Sequence, residues 1–246
     1  MGNPSVGYVV DKVKSLDDYK NLFEKSFSAQ ANMINISQAL ASYQRSLISA
    51  NSPFDRWFFG KQPDAVNSET KKGYQLFTGK AGCSQCHSVS KSFALFTDNQ
   101  LHNTGIGYQE SMQKTPKQIN LQIAPGVFID VESDHLNDIT ELKANDLGRY
   151  EISQNPQDRW KYKTPSLRNI ALTAPYMHNG SISTLEGIVR FYNQGGTINE
   201  NLDKLISPLH LTNSEINNLV EFLKSLTGSN VNQLVSDAFA APIGEM

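Results

Sequence analysis

Cysteine is scarce in this chain: 246 residues contain 2. That excludes a disulfide-stapled scaffold. Charge bias is missing as well, with Lys+Arg 22 against Asp+Glu 24 and a formal net charge of −2. Without a basic or acidic run there is no electrostatic case for nucleic acid or for an anionic membrane surface. No apolar stretch approaches the ~18 residues that a membrane span needs. The opening Met1-Gly2-Asn3-Pro4-Ser5 has neither a basic nor an apolar region and does not read as a signal peptide. Internal repeats and low-complexity tracts are absent too, which sets aside solenoids. A hydrophobic fraction of 39% remains, enough for a substantial core in one large domain or two small ones.

The two cysteines share one pentapeptide, Cys83-Ser84-Gln85-Cys86-His87. C-x-x-C-H is the attachment sequence of c-type haem: two thiols one turn apart add to the porphyrin vinyl groups, and the next residue offers an imidazole to iron. Chance would produce it on the order of once in several thousand such chains. A structural zinc site needs further soft ligands, and no other cysteine exists to supply them. A thioredoxin-type redox pair follows a strand in a βαβ unit, and no such unit is visible. One covalent haem c on Cys83, Cys86 and His87 is therefore expected. Such haem is normally attached outside the bacterial cytoplasm, which points to the periplasm. The chain is then expected either to have lost its signal or to be a piece of a longer protein.

Apolar periodicity predicts a mostly α chain. Residues 16–27 read as a helix capped by Ser15, with Leu22, Phe23 and Phe27 as its stripe. A second helix spans about 33–49 through Ile36, Leu40, Tyr43 and Leu47, and Asn51-Ser52-Pro53 stops it. Ser68-Glu69-Thr70 opens a third ahead of the cysteines. Residues 88–155 read as long loops with short strands, ordinary around a large cofactor. Two further helices cover about 184–193 and, from the capping box of Thr212 and Glu215, 212–226 with Gly228 beyond.

The sixth iron position decides the chemistry. His102, His135, His178, His210, Met112, Met177 and the tyrosines all stand as candidates. A thioether would make a carrier of raised potential. A tyrosinate would stabilise oxidised iron, and an open site would suit peroxide. Trp57, Trp160 and Tyr176 are candidate electron relays, against a plain core role, and Arg168 has the fork geometry to pair with a haem propionate.

Several segments together resemble one family. Asn51-Ser52-Pro53-Phe54-Asp55-Arg56, Leu76-Phe77-x-Gly79-Lys80-Ala81-Gly82-Cys83 and His102-Asn103-Thr104-Gly105-Ile106-Gly107 come first. Lys163-Thr164-Pro165-Ser166-Leu167-Arg168-Asn169 and Leu172-Thr173-Ala174-Pro175-Tyr176-Met177-His178-Asn179-Gly180 follow, then Thr184-Leu185-Glu186. In this order they resemble the C-terminal half of the bacterial di-haem cytochrome c peroxidases and their MauG relatives. The resemblance implies a cytochrome-c-like haem domain with long loops and a few short strands at 67–246, and a helical linker segment at 1–66 packing on it. It implies that Tyr192 completes the iron coordination, where peroxidase members usually place methionine. It also implies a calcium ion on the backbone carbonyls of Thr173 and Pro175, the plainer alternative being a tight proline turn packed on the porphyrin.

The function implied is reduction of hydrogen peroxide or storage of oxidising equivalents, with electrons from a cytochrome or cupredoxin donor. The implied partners are an N-terminal haem domain, or a second copy in a homodimer. Two departures stand out. Met1-Gly2-Asn3-Pro4 resembles the inter-domain stretch, so the family's first haem domain is not represented. Ala81 also replaces the tryptophan of the protein-oxidising MauG branch. A mono-haem electron-transfer protein without peroxidase activity of its own is the alternative.

Overall fold

The computed structural model describes residues 5–112, 118–124, 127–132 and 146–240. In chain order the helices are α1 (Val6–Ser15), α2 (Leu22–Phe27), α3 (Met33–Ser46), α4 (Pro53–Phe58), α5 (Ser68–Thr78), α6 (Ile106–Met112), α7 (Tyr150–Ser153), α8 (Leu185–Asn193), α9 (Asn213–Lys224) and α10 (Val231–Ala240). The strands are β1 (Leu101–His102), β2 (Gln118–Ala124), β3 (Val127–Glu132) and β4 (Tyr162–Lys163). β1 pairs antiparallel with β4, and β2 with β3. The mostly α class with a few short strands is as expected.

The chain divides into two compact units, Met1–Asn51 with Gly228–Met246, and Ser52–Thr227. In the first unit the helix expected over 16–27 is broken. Ser15 is the last residue of α1 rather than a cap, and Ser5 caps that helix, its Oγ accepting from the Tyr8 amide. A 3₁₀ turn at Asp17–Tyr19 precedes Asn21, whose φ of 64° interrupts the run before α2 begins. An amide side chain tolerates this left-handed backbone. α3 starts in a reciprocal capping box of Asn32 and Asn35 and ends three residues earlier than its periodicity suggests. Asn230, just before α10, ties down the segment after α3: its Nδ2 donates to the Ile48 carbonyl and its Oδ1 accepts from the Ala50 amide.

The second unit holds the site. It starts at Ser52, and Phe54, fully buried, lies at the centre of its aromatic core. Phe58, Phe96, Tyr74 and Phe222 all bring ring centroids within 5.2–5.7 Å of it. α5 and α9 cross closely at Gly73, where even a Cβ would meet the backbone of Asn218 and the Cβ of Phe222. α9 has the capping box of Thr212 and Glu215 and buries Ile216, Leu219, Phe222 and Leu223. α8 buries Leu185 and Val189 against the same core. A helix pair so close needs glycine on one side and a continuous apolar stripe on the other.

Candidate haem-binding site

α5 leads directly into the cysteine pentapeptide. The Ala81 amide donates to the Leu76 carbonyl, and Gly82, at φ 62°, turns the chain into a 3₁₀ turn over Cys83–Gln85. The His87 amide closes the turn on the Cys83 carbonyl at 2.9 Å. Both thiols and the imidazole therefore reach one cavity of about 410 Å³, also lined by Tyr192, Thr173, Pro175 and Met177. That volume lies within the range of cofactor pockets.

The donor set fits haem c. His87 Nδ1 lies 2.9 Å from the Phe96 carbonyl, which can only accept, so Nδ1 bears the proton and Nε2 the lone pair. Burial, outweighing that carbonyl and nearby Asp98, keeps the ring below the ordinary histidine value. The neutral imidazole is the metal-binding form. Burial also pushes the Cys83 thiol up to about 12 and the Cys86 thiol to about 11. Thiols so firmly protonated are not the low-pKa nucleophile of a thioredoxin-type pair.

Tyr192 is on α8, which starts with Thr184 Oγ1 accepting from the Gly187 amide. Gly195 and Gly196, at φ 88° and 69°, end the helix. The strand-and-loop segment 101–105 packs on this end, with the Thr197 amide donating to the Thr104 carbonyl at 3.2 Å. Gly105 is needed there, since a Cβ would sit 2.7 Å from Thr197 atoms. Burial raises the Tyr192 phenol above its ordinary value, as do the two cysteines beside it.

Comparison with known proteins gives the lineage. Cytochrome-c peroxidase IdrP2 of Denitromonas iodatirespirans is 36% identical over 222 residues, 90% of this chain and 56% of that protein. The methylamine utilization protein MauG of Methylorubrum extorquens is 32% identical over 229 residues, 91% of this chain and 53% of that protein. The chain belongs to the di-haem cytochrome c peroxidase and MauG family. A family model for di-haem cytochrome c peroxidase matches residues 1–63. The crystal structure of a MauG-like protein associated with microbial copper homeostasis superposes with a TM-score of 0.67 at 26% identity, covering 96% of this chain and 65% of that one. The chain thus spans little more than half the length of the curated relatives. Members of this peroxidase/MauG family are haem c proteins.

Arg168 is not among the residues that line the cavity. Its Nη1 and Nη2 bind the two Asp55 oxygens at 2.7 and 2.9 Å, and its Nε donates to the Ala94 carbonyl at 2.9 Å. The partner of this fork is a carboxylate 113 positions away. Desolvation opposes ionisation of Asp55, yet Arg168 and the Ser52 amide outweigh it and hold the carboxyl below its ordinary value.

Of the other ligand candidates, His102 lines the cavity with both ring nitrogens taken, Nε2 by Asp98 at 2.8 Å and Nδ1 by Asp203. Despite burial, the two carboxylates raise its pKa above the ordinary value, and neither ring nitrogen is left free to face the cavity. His178 stacks on Tyr162 with centroids 3.6 Å apart, its Nε2 3.7 Å from Glu110. Met112 is exposed, neither it nor His210 lines the cavity, and His135 lies outside the described residues. Met177 does line it. Thr173 and Pro175 also line it. The carboxylate clamp on His102 left no sequence signal, since Asp203 is 101 positions distant.

Proposed function

We propose that this chain carries one covalent haem c of a di-haem peroxidase or MauG-like oxidoreductase. Hydrogen peroxide is then the oxidant, and a cytochrome or cupredoxin is the electron donor. In this reading Cys83 and Cys86 would form the two thioethers, and His87 Nε2 and Tyr192 would ligate the iron. The supporting observation is the convergence of two protonated thiols, a neutral imidazole with its lone pair at Nε2, and the Tyr192 ring on one cavity. Bound there, haem c supplies one-electron redox chemistry at iron.

The residues set how that chemistry is tuned. The Phe96 carbonyl orients His87 and makes it a stronger donor. Burial disfavours the Tyr192 phenolate, and a ferric iron held there would be the compensating cation. A hard anionic ligand favours oxidised iron, which suits oxidative chemistry better than shuttling. His102, held between Asp98 and Asp203, lies beside Cys86. A calcium ion on the Thr173 and Pro175 carbonyls would take its remaining oxygen ligands from elsewhere. A periplasmic location follows from the chemistry of haem c attachment. Among the described residues no helix is long and apolar enough to cross a membrane.

The test is the ferric absorption and EPR spectrum of the haem-loaded chain beside Tyr192→Phe. Loss of a six-coordinate, tyrosinate-type spectrum in the variant is expected. An unchanged spectrum would move the sixth ligand elsewhere, with Met177 the first residue to replace.

A further inference from the structure

A line of aromatic rings joins the haem cavity to solvent. Phe77 shares a small apolar cavity of about 70 Å³ with Cys83 and Tyr192. From Phe77 the ring centroids step 4.8 Å to Phe222, 5.6 Å to Tyr74 and 5.5 Å to Trp57. The first two rings are fully buried, and the last two are half-buried. No buried polar side-chain atom among the described residues lacks a partner, and neither the Tyr74 hydroxyl nor the Trp57 N–H has one there. Both protons therefore face water. The order matters: inert phenylalanines lie inside, and the two side chains that can lose an electron lie at the outer end.

We propose that Tyr74 and Trp57 form the electron-exchange terminus of this haem site, where a one-electron donor delivers its electrons. The proposal rests on the haem reading above. Hydrogen peroxide takes up two electrons and two protons to give two waters, so each turnover draws twice on the terminus. In each pass Tyr74 would give up one electron inward across Phe222 and Phe77, and its phenol proton would leave to water. Tyr74 recovers an electron from Trp57 and a proton from water. Trp57 loses its indole proton to water, then regains an electron from the donor and a proton from water. Trp160 is differently placed: it is buried against Tyr108 with its Nε1 donating to Ser111, and its proton has no such exit.

The test avoids peroxide. The iron of the haem-loaded chain is exchanged for zinc, and a laser flash with a cobalt(III) acceptor removes one electron from the porphyrin irreversibly. The porphyrin cation is expected to decay as a tryptophan radical absorbance appears. In Trp57→Phe with Tyr74→Phe, which keep both rings, the decay should slow at least tenfold and the radical signal should vanish. Trp160→Phe should leave both unchanged. Unaltered decay in the double variant, or equal slowing in Trp160→Phe, overturns the relay while leaving the haem assignment standing. A chain that retains no covalent porphyrin overturns both.

Discussion

Gly73→Ala is a sharp probe of how the haem turn is held. On helix propensity alone the change should stabilise α5 by about 1 kcal/mol. The crossing with α9 opposes it. The new Cβ would lie 2.7 Å from the Asn218 carbonyl carbon and 2.8 Å from Phe222 Cβ, with the Asn218 oxygen closer still. Carbon atoms prefer roughly 3.5–4.0 Å, so the helices would have to part by about 1 Å. The obstacle is backbone, not the end of a flexible side chain, and Phe222 is fully buried. Overpacking of this kind costs up to about 3 kcal/mol, leaving a net loss of about 2 kcal/mol. Urea unfolding followed by Trp57 fluorescence reads it directly, because Trp57 packs on Tyr74 of α5. The midpoint should fall with the slope unchanged. A midpoint equal to or above the parent would refute the close crossing and give the decision to helix propensity. Because α5 runs into the Cys83 turn, the variant should also mature with less haem.

The Asp55–Arg168 pair makes two further predictions. Both side chains are about 15% exposed, so Asp55→Asn should cost about 3 kcal/mol, the usual loss when one member of a shielded pair is removed. Lys80→Ala, which breaks a far more exposed pair with Glu215, should cost less than about 1 kcal/mol. The pair also sets an acid limit. Since the folded Asp55 value lies below its ordinary 3.8, its contribution is complete above pH 3.8 and is lost as pH falls through the folded value. Stability measured across that window should therefore drop more steeply in the parent than in Asp55→Asn; parallel curves would contradict the pairing.

Local chemistry was legible in the sequence, and long-range partnership was not. The attachment pentapeptide, the Thr212–Glu215 cap and the stripes of α8 and α9 are short-range patterns, and each appears where periodicity and capping place it. Phe222 proves central because α5 approaches through a glycine, a fact that belongs to two helices together. The break at Asn21 carries no glycine or proline to announce it. Arg168 shows the limit most clearly. Its geometry was right for an anion, but only the fold brings Asp55 to it. The burial of Phe54 has the same cause, since Pro53 marks a helix start while that burial depends on distant rings.

The most direct measurement is the intact mass of the chain matured with a c-type haem attachment apparatus, taken after acid–acetone extraction. The account predicts one haem retained per chain, and none in the variant with Cys83→Ser and Cys86→Ser together. Complete loss of haem from the parent, or its retention in that double variant, would contradict it.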